Sequence, residues 1–411
     1  MFEYKRDTLF CEGVSLEEIT AETGTPVYVY SCERIKANWI AFNRAFSSVP
    51  HLVCYALKAN TNREVCRTLF RLGSGADVTS GGELFRAVSA GADPKKIVYA
   101  GVGKRVDEIC YAIRQGILMF NVESEEELSV IDLVAGKTGK MVRVALRVNP
   151  DIDPHTHKHI TTGKAENKFG IPLKRIPELF FNRKRFKNTD MCGLHCHIGS
   201  QITFLAPFAK MSRVLSDLAL SLRSAGVYLK YINLGGGLGI RYRNERPPSP
   251  AEFADTVLSH LRKTGAQIIL EPGRFIVGNS GALVTSVLYR KRGESKEFVV
   301  VDAGMTDLIR PSLYGAYHPI LPVKRRRGRS VRFDVVGPIC ETGDFLGKDR
   351  SMVRPHRGEL LAVMCAGAYS FVMSSQYNSR PRPAEVMVCG KNWRVVRKRE
   401  TYNDLVRGEV A

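Results

Sequence analysis

A parallel β/α barrel followed by a β-rich second domain is the architecture this sequence predicts. Between residues 52 and 271, eight short apolar stretches alternate with amphipathic stretches of helical period. Past residue 280 that rhythm stops and β-branched runs replace it. Strands separated by helices pair in parallel with both faces covered, and eight of them close into a barrel.

After a helix-like opening, PVYVYS reads as an apolar strand and residues 33–48 as a helix. The barrel strands are LVCYAL (52–57), GADV (75–78), KIVYA (96–100), ILMF (117–120), VRVALRV (142–148), CGLHCHI (192–198), YINLG (231–235) and QIILE (267–271). Helices are predicted between them over 61–72, 82–90, 104–115, 124–135, 173–181, 206–226 and 250–264. An open doubly wound sheet is the alternative, but it carries GxGxxG after its first strand, and none occurs there. The glycine run Gly235-Gly236-Gly237 follows the seventh strand instead, where barrels hold phosphate. Beyond residue 280, FVVVD, VRFDVVGP, LLAVMCA and AEVMVCG predict antiparallel strands of a small sandwich or barrel. The domains read as an N-terminal segment over 1–30 partly packed with the β domain, a barrel over 31–280 and the β domain over 281–411.

The 411 residues are 44% apolar, enough for a large core, and no apolar run of about 18 residues offers a membrane span. Ten scattered cysteines without zinc-like pairing read as reduced thiols of a cytoplasmic protein. The net charge of +20 is partly local, in Lys324-Arg325-Arg326-Arg327 with Arg329 and Arg332, and in Arg394, Arg397, Lys398 and Arg399. Such a surface attracts polyanions. No zinc finger, RNP-like aromatic pattern or basic heptad supplies readout, so nucleic acid is not predicted as the primary partner. His155, His157 and His159 alternate on one strand face without a carboxylate or cysteine partner in sequence, so no metal is predicted.

Strand ends converge on one barrel rim. That rule collects Lys58 after strand one, His197 at the end of strand six, the glycines after strand seven, and Glu271 with Arg274 after strand eight. Each has an ordinary alternative: a snorkelling lysine, a core histidine, a surface ion pair. Together they form a chemical set. A desolvated amine traps carbonyls, glycine N–H groups receive phosphate, and a carboxylate keeps a pyridine nitrogen protonated while an imidazole lies on the ring. Lysine, phosphate cradle, acid and imidazole point to pyridoxal 5'-phosphate.

Nine stretches spread over the whole chain carry a closer resemblance: YALKAN, GADVTSGGEL, TGKAENKFG, GLHCHIGSQ, NLGGGLG, EPGR, DLIRPSLYGAYH, CETGD and GAYSFVMSSQYNSRPRPAEV. The sequence resembles the diaminopimelate decarboxylase family, in the barrel-plus-β-domain class (fold type III) that also includes alanine racemase and eukaryotic ornithine decarboxylase. The resemblance implies that Lys58 carries the cofactor, His197 stacks on its ring and Glu271 meets its pyridine nitrogen. Ser200, Gly235, Gly236, Gly237, Gly273 and Arg274 would surround the phosphate. Tyr369 would lie near phosphate and substrate, and Asp77 and Arg147 would be supporting polar groups. Arg274, Arg310 and Tyr314 match groups that grip the distal carboxylate of the substrate, and Glu341 the acid that reads its distal ammonium. Cys340 matches a cysteine presented across a homodimer interface to assist protonation after carbon dioxide leaves. The implied reaction is decarboxylation of meso-diaminopimelate at its D-centre to L-lysine, the last step of lysine biosynthesis. Other readings are a same-fold decarboxylase of ornithine, arginine or a carrier-bound glutamate, a racemase, and a cofactor-binding protein without turnover.

Overall fold

The computed structural model of the chain describes residues 1–153, 162–163 and 167–410. The histidine run at 155–159 and part of TGKAENKFG therefore lie outside the described residues. The chain divides into two compact units, one of Asn38–Ile240 with Arg246–Phe275, the other of Met1–Ala37, Arg241–Glu245 and Ile276–Ala411.

The helix-like opening expected from the sequence holds only for Leu16–Thr23, directly before PVYVYS; the residues ahead of it are strands. Strands β1 (Phe2–Lys5), β2 (Thr8–Cys11) and β3 (Val14–Ser15) form a small antiparallel sheet before the first helix, Leu16–Thr23. Ser15 sets where that helix begins, because its hydroxyl accepts from the N–H groups of Glu17 and Glu18 at 3.1 and 3.3 Å. Strand β4 (Val27–Ser31) follows and is buried throughout.

The larger unit is built on β5 (His51–Ala56), β6 (Gly75–Val78), β7 (Ile97–Tyr99), β8 (Met119–Val122), β9 (Val142–Asn149), β10 (Ile171–Pro172), β11 (Thr189–His195), β12 (Tyr231–Asn233) and β13 (Gln267–Leu270). All pair in parallel, and the sheet returns on itself because β13 pairs β5 and β8 pairs β9. Two-residue β10 is an appendage on β9. Helices lie between the strands, and side-chain caps start several of them. Ser80 accepts from Glu83 N–H, and Ser124 from Glu127 N–H, each at 3.1 Å. Ser249 and Glu252 form a reciprocal capping box at Pro250–Leu261. Val53, Cys54, Tyr55 and Ala56 are almost wholly buried, as a strand covered on both faces requires. Full burial of a side chain such as Val53 contributes roughly 1.5–3 kcal/mol. Because the strands run in one direction, their C-terminal ends share one rim.

The smaller unit centres on the long strand β14 (Gly281–Arg292), with β15 (Glu297–Val301), β16 (Ile320–Pro322), β17 (Ser330–Val336), β18 (Phe345–Val353), β19 (Leu360–Val363), β20 (Ala384–Cys389) and β21 (Asn392–Arg397). Its main path runs β18-β17-β15-β14-β4-β20-β21, with β19 joining β14 to β16. The expectation of purely antiparallel strands needs correction: β4 pairs β20 in parallel, and β15 pairs β17 in parallel. Neither pair is joined by a hairpin, so no tight turn imposes opposite directions. Val27, Val29, Val284, Val386 and Val388 share one apolar cluster across this sheet.

Asp307, 4% exposed, lies in this unit and accepts from Gly304 N–H at 2.9 Å. Burial pushes its carboxyl from 3.8 up to about 7, with Asp302 and Asp344 adding to the effect against the Gly304 bond and Arg380. Between those two values the folded chain keeps a proton that the unfolded chain has lost, so this group's contribution to stability falls as pH rises through the window. Asp307→Asn removes that dependence. The expected result in thermal melts is a smaller fall in Tm from pH 5 to pH 7.5 than in the wild type.

Candidate functional site

The rim of the parallel sheet gathers most of the candidate residues. Lys58 sits in the single 3₁₀ turn Leu57–Ala59 that closes β5. Its Nζ donates to Oδ2 of Asp77 at 2.8 Å, and its side chain stays about one-third exposed while that of Asp77 is fully buried. The other carboxylate oxygen, Oδ1, is buried without a hydrogen-bond partner among the described residues. Burial and then the charge of Glu271 push the Asp77 carboxyl up to about 7, against the pull of Lys58.

Glu271, directly after β13, is the electrostatic opposite. Its Oε1 accepts from Asn121 Nδ2 at 2.9 Å and from Asn233 Nδ2 at 2.6 Å, and its Oε2 lies 3.3 Å from His195 Nε2. Burial alone would raise this acid. His195, Lys58 and Asn233 outweigh burial and hold it well below the usual carboxylate range. The rim therefore contains a buried carboxylate kept as an anion.

His197 is held neutral: desolvation, then Lys58 and Arg147, drive its imidazole well below its usual value. Its Nδ1 accepts from Gly236 N–H at 3.2 Å, which requires a lone pair there. The glycine loop that supplies this contact admits no side chains. A Cβ on Gly236 would stand 2.3 Å from the Glu271 carbonyl oxygen. One on Gly237, whose φ is +118°, would stand 2.8 Å from the Gly199 carbonyl oxygen. Gly235 N–H donates to Asn233 Oδ1 at 2.9 Å and its carbonyl accepts from Glu271 N–H at 2.7 Å, tying the loop to the acid.

Around these groups, Ser200 Oγ accepts from the Arg274 guanidinium at 2.9 and 3.3 Å. Gly273 brings the backbone close to β5, with a hypothetical Cβ 3.0 Å from Ala59 Cβ. Arg147 is buried and paired with Glu123 at 2.5 Å, and its guanidinium lies 4.7 Å from the Phe169 ring centre. Glu123 also accepts from Gly170 N–H at 2.9 Å, so Arg147 braces the β8 and β9 ends.

Arg310, Tyr314, Cys340, Glu341 and Tyr369 belong to the β unit. Arg310 is buried at the start of the short helix Arg310–Tyr314. Cys340 is exposed, its N–H donating to Asn378 Oδ1 at 2.9 Å, and Glu341 beside it is exposed. Tyr369 takes a φ of +55°, a constrained backbone for a bulky residue.

Three rim residues escape the sequence reading: Asn121, His195 and Asn233. A partial signal exists. His195 is two positions before His197 and shares its face in the strand predicted over 192–198, and the two asparagines are polar interruptions at the ends of apolar strands. All ten cysteines are free thiols. Among the described residues no helix is long and apolar enough to cross a membrane, and no group of three or more His, Cys, Asp or Glu side chains is placed to hold a metal.

The donor set fits pyridoxal phosphate. It has an amine on the rim, an anionic acid for a pyridinium, a neutral imidazole with its Nδ1 fixed, and a side-chain-free loop beside serine and arginine. Comparison with known proteins agrees. Residues 32–278 match the family model of the pyridoxal-dependent decarboxylase, pyridoxal binding domain. The diaminopimelate decarboxylase of Aquifex aeolicus is 49% identical over 405 residues, covering 98% of this chain and 96% of the relative. That of Vibrio cholerae is 47% identical over 406 residues, covering 98% and 97%. The crystal structure of diaminopimelate decarboxylase from Helicobacter pylori complexed with L-lysine superposes with a TM-score of 0.92 at 42% identity, covering 95% of this chain and 98% of that one.

Proposed function

The chain belongs to the pyridoxal-dependent decarboxylases, in the diaminopimelate decarboxylase family, and from that premise we propose that it releases carbon dioxide from the D-centre of meso-2,6-diaminopimelate to leave L-lysine. The observation that carries the mechanism is Glu271, held as a buried anion by Asn121, Asn233 and His195 on the rim that bears Lys58.

When bound, pyridoxal phosphate supplies the electron sink for the pair released from the Cα–carboxylate bond. Lys58 would hold the group through Nζ, and Glu271 would keep a proton on its pyridine nitrogen. His197, neutral and fixed through Nδ1, would lie against its ring. Ser200, the Gly235–Gly237 loop, Gly273 and the backbone at Arg274 would receive its phosphate, with Tyr369 beside it. Asp77 steadies the Lys58 ammonium, and Arg147 fixes the neighbouring strand ends. For the substrate, Arg274, Arg310 and Tyr314 would grip the distal carboxylate, since arginine's planar fork suits that group. Glu341 would meet the distal ammonium. Cys340 would deliver a proton to the α-carbon once carbon dioxide has left.

In this reading the barrel-like sheet and the β unit form the (β/α)8-plus-β arrangement of fold type III, working in the cytoplasm. The exposed position of Cys340 fits a role in a neighbouring subunit's site, so the working unit is a homodimer with shared sites. Mixing the inactive variants Lys58→Ala and Cys340→Ala tests this. Random exchange leaves one intact site in each mixed dimer, so activity returns to about one quarter of wild type. Independent subunits would give no return. A panel of meso-diaminopimelate, L-ornithine and L-arginine tests the substrate, with turnover expected for the first alone. Comparable turnover of either other amino acid would reassign it.

A further inference from the structure

Arg310 does not stand alone in the β unit. Its Nη1 donates to His318 Nε2 at 2.7 Å and to the Tyr242 hydroxyl at 3.1 Å. The Tyr242 ring centre lies 4.8 Å from the guanidinium carbon, and that ring meets His318 edge-on at 5.3 Å. His318 has no solvent exposure, and its Nδ1 lies 2.9 Å from the Met364 carbonyl oxygen. A carbonyl oxygen only accepts, so Nδ1 carries the proton and Nε2 turns its lone pair to Arg310.

We propose that His318 is a positioning residue for substrate selectivity: it fixes the guanidinium plane of Arg310 so that the arginine meets a substrate carboxylate in its two-pronged geometry. This rests on the reading of Arg310 as the grip on the distal carboxylate. Two contacts on one nitrogen, with an aromatic ring against the guanidinium, restrict rotation of the fork. The chemistry of the brace matters as much as its position. A carboxylate in the place of His318 would orient Arg310 but cancel its charge and compete with the substrate. A neutral imidazole and a phenol orient it and leave the positive charge for the ligand. The brace is itself held by the backbone at Met364, just beyond β19, so the arginine's aim is tied to the sheet.

The test uses the full-length enzyme loaded with pyridoxal phosphate and two competing ligands. L-Lysine keeps the distal carboxylate, and cadaverine lacks it. In His318→Leu the inhibition constant for L-lysine is expected to rise on the order of 10- to 100-fold, while that for cadaverine and the cofactor absorption stay unchanged. His318→Gln keeps an acceptor for Arg310 and is expected to recover most of the L-lysine affinity. Equal losses for both ligands, or unchanged L-lysine inhibition in the leucine variant, overturn the positioning role. Should the leucine variant fail to fold, His318→Asn, too short to reach Arg310, is read in the same way. Arg310→Ala separates the two levels. If it selectively weakens L-lysine while the His318 variants do not, only the positioning role falls. If it leaves L-lysine inhibition unchanged, the assignment of Arg310 falls with it.

Discussion

Lys58→Ala is expected to yield a folded chain without the visible absorption of covalently held pyridoxal phosphate, and with turnover reduced at least ~10³-fold. The fold survives because the Lys58 side chain is about one-third exposed at the rim, and the apolar residues of β5 that anchor the strand are untouched. What disappears is the amine. Asp77 would also lose the Lys58 charge and hydrogen bond that draw its buried carboxyl down, so its protonated form gains further. Absorption spectra and steady-state rates read the two losses together. Retention of both signals would remove Lys58 from the mechanism.

Glu271→Gln has the second largest expected effect, a fall in kcat on the order of 10²- to 10³-fold. The substitution is close to isosteric, and a glutamine oxygen still accepts from Asn121 and Asn233, whose bonds to Oε1 are 2.9 and 2.6 Å. The charge is removed, and with it the means of keeping a proton on a pyridine nitrogen, while the amide NH2 takes the place of the carboxylate oxygen that lies 3.3 Å from His195 Nε2. The cofactor should still bind through Lys58, so its absorption remains while turnover drops. A variant that keeps wild-type kcat would show that the anion is structural.

These expectations rest on features of uneven visibility in the sequence. The eight parallel strands were legible because both of their faces are covered, which writes each as a short apolar run between helices of a different period. The rim positions of Lys58, His197 and Glu271 follow from that rhythm once the strands share a direction. Asn121, Asn233 and His195 did not, because their meaning arises only where three strand ends meet around Glu271. The three short N-terminal strands were hidden for another reason. Segments of four, four and two residues are too brief to separate period 2 from a helical period. Strands β4 and β20 pair in parallel although some 350 residues separate them, and no local turn announces such a partnership. The pairing of Arg310 with His318 is of the same kind. Eight residues apart, they come together because the short helix Arg310–Tyr314 turns the chain back.

A single reaction on a single substrate fixes the stoichiometry of the products. Enzyme loaded with pyridoxal phosphate is incubated with meso-diaminopimelate, and carbon dioxide and L-lysine are measured in the same sample. The expected result is one carbon dioxide and one L-lysine per substrate consumed, with no activity in Lys58→Ala. A wild-type chain whose cofactor spectrum responds to meso-diaminopimelate without release of either product would be a binding protein and not a decarboxylase.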